Sequence, residues 1–126
     1  MSHNKDIGKK GEKIAVSYLK RRGYKIIEKN FLIKGSEIDI IASKNDEIHF
    51  VEVKTRMDTS LGNPADAITY YKKKALIHGA KYYLMKNSRY FDKICSFDVC
   101  EIILCNKIFF NKKINYIKNA FEEERI

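Results

Sequence analysis

The sequence predicts an α/β protein in which helices cover a mixed β-sheet, with the core order αβββαβ. Residues from about Asp6 to Arg22 repeat apolar side chains with a helical period. Runs at Tyr24–Phe31, Glu37–Ala42 and Ile48–Lys54 are rich in β-branched and aromatic residues, as strands are. A second helical stretch, ending near Met85, separates these runs from a further strand at Ser96–Leu104. At 126 residues, one domain over 1–126 with a modest core is expected, without help from disulfides.

In the first helix, Ile7, Gly8, Gly11, Ile14, Ala15, Val16, Tyr18 and Leu19 share one arc, with Lys9, Lys10, Lys13, Lys20 and Arg21 opposite; Gly23 ends it. Glu12 falls inside the apolar arc. A carboxylate there needs a cation, a metal, a hydrogen-bond donor or an edge position that reaches water. After the Tyr24–Phe31 strand, a turn around Gly35-Ser36 leads into two runs interrupted by acids and a lysine. Alternation puts Glu37 and Asp39 on one face of their strand, and Glu52 and Lys54 on one face of theirs. Ser43–Asp46 has turn composition. A four-residue loop sets Asp39 opposite Phe50 and Glu37 opposite Glu52, whereas a two-residue loop sets Asp39 opposite Glu52. Either register gathers the acids on one face, where opposed like charges need something positive between them. A divalent cation is the natural candidate, with Lys54 as its complement.

Asn63 suits an N-cap, Pro64 the first helical position and Asp66 the positive end of the dipole, so a second helix is expected from there to Met85. Ile68, Tyr71, Ala75, Ala80, Tyr83 and Leu84 should face inward, with Lys72, Lys73, Lys74 and Lys81 on its surface. Residues 107–118 should hold one or two more strands, and Glu122-Glu123-Glu124 an acidic end. Tyr70, Tyr71, Tyr82 and Tyr83 have a stacking surface for bases, although helical spacing favours packing for most.

The formal net charge is +9, from 25 basic and 16 acidic residues. That balance suits a polyanionic partner, with nucleic acid the leading candidate, and is also what a Lys-rich proteome produces. Cys95, Cys100 and Cys105 fit neither a disulfide framework nor a paired metal motif; free thiols packed as small core residues fit a reducing, cytoplasmic compartment. No apolar run has the length of a membrane span, and the N-terminus lacks a signal-peptide core, so no membrane partner is expected. His3, His49 and His78 are scattered, His49 alternating with the Glu52 face, and give no support to a zinc or Ser-His centre. Asp98 is expected to be structural, hydrogen-bonded to neighbouring backbone.

An acid followed by E-x-K on the next strand, with a glutamate on an upstream helix, resembles the nucleases of the restriction-endonuclease-like fold. More closely, the chain resembles the YraN family of small bacterial proteins. The likeness runs through Gly8-x-x-Gly11-Glu12, Ala15, Tyr18-Leu19, Gly23-Tyr24, Asn30, Glu37–Ile41, Phe50–Arg56, Gly62, Lys72–Lys74, Phe97–Val99 and Asn119–Phe121. Ser36 departs from it, because the family usually has glycine directly before the Glu37 position. A deeper similarity, confined to the site, is to archaeal Holliday-junction resolvases.

The resemblance implies a Mg²⁺- or Mn²⁺-dependent endonuclease acting on DNA, with branched DNA as one substrate class. In that scheme Asp39 and Glu52 bind the metal directly, helped by the Val53 carbonyl. Glu12 reaches it through water, and Glu37 is a supporting or alternative ligand. Lys54 orients the attacking water or stabilises the developing charge, while Thr55, Arg56, Lys72, Lys73 and Lys74 contact phosphates. A branched substrate would suit a homodimer with two sites, which no sequence feature specifies. The alternatives are a non-catalytic nucleic-acid-binding module of the same fold and an RNA-processing nuclease. Taken alone, Glu52 and Lys54 also fit an exposed edge-strand ladder with Asp39 as a salt-bridge partner, and Lys72–Lys74 a solvated helix face.

Overall fold

The computed structural model describes residues 2–57, 68–104 and 111–122. Helix α1 (Ser2–Arg21) leads into β1 (Lys25–Ile33), β2 (Ser36–Lys44) and β3 (Glu47–Met57). Helix α2 (Tyr70–Lys86) and a short 3-10 turn at Ser88–Tyr90 precede β4 (Ile94–Leu104) and β5 (Lys112–Phe121). The five strands form one sheet in the order β1-β2-β3-β4-β5. β3 and β4 run parallel, with α2 between them in the chain, and the other neighbours are antiparallel. A helix-flanked mixed sheet is therefore what the chain forms, the αβββαβ core being followed by β5, which falls largely in the 107–118 stretch expected to add a strand.

α1 ends where Gly23 adopts φ +89°. The Gly23 N–H then returns to the Lys20 carbonyl and the Tyr24 N–H to that of Leu19, a left-handed closure that glycine makes without Cβ strain. The helix begins earlier than Asp6, at Ser2. α2 begins at Tyr70, where the Thr69 side chain accepts from the Lys72 N–H as N-cap. Asn63, Pro64 and Asp66, expected at this start, lie outside the described residues, as do Cys105, Glu123 and Glu124.

Two apolar layers sandwich the sheet. Ala15 and Leu19 of α1 pack with Ile40, Ala42, Val51, Cys100 and Ile102. On the other face Leu76, Ala80 and Tyr83 of α2 pack with Ile38, Ile41, Ile48, Phe50 and Phe121. Two inward assignments need correction. Tyr71 is 82% exposed, because the buried stripe of α2 runs through Leu76, Gly79, Ala80 and Tyr83 and leaves Tyr71 off its axis. Cys95 is exposed at the start of β4, whereas burial pushes the Cys100 thiol up to about 12, which makes it a packing residue. Among the described residues, no helix is long and apolar enough to cross a membrane.

Where β3 begins, the sheet buries a polar cluster. Asp98 is fully buried and accepts from the Asn119 N–H at 3.1 Å, from Ser96 Oγ at 2.5 Å and from the Tyr116 hydroxyl; His49 Nδ1 lies 2.6 Å away. Burial alone would raise the Asp98 pKa, but these hydrogen bonds hold it below the ordinary carboxylate value. His49 Nε2 meets Glu47 Oε1 at 3.0 Å, so each ring nitrogen faces a carboxylate. The expected backbone bond to Asp98 is present, within a larger side-chain network.

Candidate functional site

Asn45, with φ +55°, closes a two-residue turn between β2 and β3 and sets Lys44 opposite Glu47. By the same count Asp39 falls opposite Glu52, the second of the two expected registers. Paired residues run only from Lys44↔Glu47 to Ile40↔Val51, although both strands continue. In the opening beyond, the Val53 N–H donates to Asp39 Oδ2 at 2.8 Å rather than to a β2 carbonyl.

Glu52 is 5% exposed. Its Oε2 lies 3.1 Å from Lys72 Nζ, while its buried Oε1 has no hydrogen-bond partner. Burial, and next the charge of Glu52, pushes the Asp39 carboxyl up to about 8; Glu12 adds to the rise and the Val53 N–H opposes it. A proton on Asp39 then serves a hydrogen bond to Glu52. For Lys72, burial works against the charge, but Glu52, then Asp39 and Glu37, holds the ammonium above its ordinary value.

Asp39 and Glu52 line an open cleft of about 720 Å³ with Glu12, Thr55, Arg56 and Lys72. Glu12 arrives from α1 because that helix packs very close to β3: a methyl group on Gly11 would overlap the Thr55 side chain. Lys72 arrives from α2 because it lies four residues before Leu76, on the same stripe. Each helix thus contributes one charged side chain to the cleft, Lys72 in contact with Glu52 and Glu12 on the cleft wall.

Other expected residues stand elsewhere. Lys54 lines a neighbouring cleft of about 340 Å³, shared with Glu52, Thr55, Arg56 and Glu101, and is in register with Glu101. Glu37 is exposed, outside the residues that line the larger cleft, and acts on the site through its effect on Lys72. The three lysines diverge: Lys72 meets Glu52, Lys73 Nζ lies 5.7 Å from the Phe121 ring centre, and Lys74 Nζ lies 5.2 Å from that of Tyr70. Glu101 was not anticipated. It is 2% exposed, accepts from Asn115 Nδ2 at 2.9 Å through Oε1, and leaves Oε2 without a partner. Its one signal in the sequence is a charge on the strand face of Phe97 and Val99.

Two carboxyl groups crowded enough to retain a proton, one with an unpartnered buried oxygen, suit a hard divalent cation. Among the described residues no three His, Cys, Asp or Glu side chains are gathered to hold a metal ion. The four-carboxylate cage of Glu12, Glu37, Asp39 and Glu52 is therefore not formed, and a divalent ion would rest on Asp39 and Glu52.

Residues 11–102 match the Uncharacterised protein family UPF0102. The chain is similar to a UPF0102 protein of Clostridioides difficile (strain 630), 46% identical over 119 residues that cover 94% of this chain and 99% of the relative. A UPF0102 protein of Clostridium perfringens (strain 13 / Type A) is 44% identical over 122 residues, 94% and 96% of the two chains. The family match spans Glu12, Asp39, Glu52, Lys54 and Lys72.

Proposed function

The chain belongs to the UPF0102, YraN-like family, and from the chemistry of its carboxylate cleft we propose that it is a metal-dependent endonuclease that hydrolyses DNA phosphodiester bonds, built on a restriction-endonuclease-like version of its α/β fold. The observation that carries this proposal is the Asp39–Glu52 pair, with Glu52 Oε1 buried and unpartnered in an open cleft. Asp39 and Glu52 would hold Mg²⁺ or Mn²⁺. When bound, such an ion acidifies a coordinated water and offsets charge on the phosphate.

The remaining residues have roles their chemistry suits. The Val53 N–H fixes the direction of the Asp39 carboxylate, and Glu12, on the cleft wall from α1, would reach the ion through water. Arg56 and Lys72 carry positive charge to the cleft wall, where backbone phosphates would lie. Lys54 would act from the far side of Glu52. Contacts of this kind read backbone and shape, so structured or branched DNA suits the site better than a particular sequence. A non-catalytic nucleic-acid-binding module is the second reading, and the Lys72–Glu52 ion pair favours it by occupying a ligand oxygen.

Purified protein incubated with Mg²⁺ or Mn²⁺ and linear duplex, four-way junction, single-stranded DNA or structured RNA tests the proposal. Metal-dependent cleavage of DNA is expected, absent in EDTA. Asp39→Asn and Glu52→Gln should each slow it by about 100-fold or more, the scale of losing one preorganised electrostatic contact. Cleavage that persists in Glu52→Gln refutes this centre. Salt-sensitive binding without cleavage decides for the second reading.

A further inference from the structure

Tyr70 and Tyr71 open α2, and both are exposed, 58% and 82%. Their rings meet edge to face with centroids 5.7 Å apart, and Lys74 Nζ stands 5.2 Å from the Tyr70 centroid. Two adjacent large rings left in water are unusual on a helix whose stripe is filled by Leu76, Gly79, Ala80 and Tyr83. The next residue, Lys72, lines the carboxylate cleft. Flat π faces interleaved with ammonium groups match a ligand that alternates aromatic rings with anions, which is a nucleic-acid strand. An apolar protein surface would instead have to desolvate the neighbouring lysines. Within a duplex the base faces already stack on one another, so exposed rings of this kind engage unpaired bases.

We propose that Tyr70 and Tyr71 form a stacking platform for unpaired bases beside the carboxylate cleft, so that the favoured ligand is DNA with a single-stranded segment. The platform's place next to a scissile phosphate rests on the nuclease proposal, but its binding does not. The rings select strands with free bases, and the cleft receives the adjoining phosphate.

The test is made in EDTA, where no metal-dependent cleavage occurs, using a fluorescent oligo-dT strand and a blunt duplex of equal length. Stacking is worth roughly 1–3 kcal/mol per base, about 5-fold to 150-fold in affinity. Tyr71→Ala should weaken oligo-dT binding within that range and change duplex binding less than about two-fold. Tyr71→Phe should bind like wild type, since stacking needs the ring and not the hydroxyl. The chain has no tryptophan, so Tyr71→Trp introduces a single indole whose emission should be quenched by oligo-dT and not by duplex.

Equal losses on both ligands, an indole that stays bright while anisotropy reports binding, or no oligo-dT binding by wild type would each overturn the platform. Concentration-dependent self-association abolished by Tyr71→Ala would assign the patch to a second copy and overturn it as well. Quenching without cleavage in the metal experiment removes the nuclease and leaves the platform; cleavage without quenching does the reverse.

Discussion

Asp39 has two directly opposed determinants: a backbone N–H at 2.8 Å that favours its charge, and burial beside Glu52 that disfavours it more strongly. Its ordinary value is 3.8 and its folded value about 8. Between those limits the folded chain keeps a proton that the unfolded chain has released, so stability falls as pH rises. The contribution is complete below about pH 4 and lost above about pH 8. Asp39→Asn cannot titrate. In metal-free buffer the thermal midpoint of the wild type should therefore fall relative to that of Asp39→Asn between pH 5 and pH 8.5, and adding Mg²⁺ at the higher pH should raise only the wild type. Parallel curves would show that Asp39 carries no such proton. That Asp39 and Glu52 would be neighbours was legible from alternation and one turn. Lys72 was legible only as surface charge, because the side of α2 that packs is decided by the sheet beneath it: the buried stripe runs through Leu76, Gly79, Ala80 and Tyr83, and its extension four residues before Leu76 is Lys72, which meets Glu52, and not Tyr71.

Between the elements, the decisive contact is the approach of α1 to β3 at Gly11. Thr55 occupies the space a Cβ would need, so Gly11→Ala forces the helix away. Overpacking of this kind costs about 1–3 kcal/mol. The same shift carries Glu12 out of the cleft, so the cleavage rate should fall along with denaturant stability. Gly8→Ala is the control, since a Cβ there meets nothing within 4 Å. It should leave stability unchanged or raise it by up to about 1 kcal/mol, the difference between glycine and alanine in a helix. Equal destabilisation by both variants would mean that helix propensity, not close packing, sets the cost. The sequence puts both Gly8 and Gly11 on the apolar arc, but only the packing against Thr55 shows that Gly11 and not Gly8 lies at a close approach. At the other end of β3, His49 and Asp98 stabilise the β3–β4–β5 junction through side chains 49 residues apart, a pairing that local periodicity does not contain.

For the molecule as a whole, the formal charge is +9, and the fold sends neighbouring lysines of α2 to different surroundings. Lys72 faces the acids, whereas Lys73 lies over Phe121 of β5 and Lys74 over Tyr70 of α2. If DNA phosphates contact both lysines, replacing Lys73 and Lys74 together by Ala should reduce the salt slope of binding by about 2, one per lost phosphate contact. Titrations between low and moderate salt measure the slope directly, and an unchanged value would place the DNA elsewhere. Helix and strand identities, the alternation that lines acids along one face, the basic balance and the glutamate within an apolar arc were all settled by residues near one another in the chain, since period and propensity are local properties. The cleft shared by Glu12, Asp39, Glu52 and Lys72 was not. It depends on the two-residue turn that sets the register, on the β2–β3 pairing that stops at Ile40↔Val51, and on helices from opposite faces reaching one opening. Those are relations among distant segments, and only packing the sheet between its two helices brings them into one place.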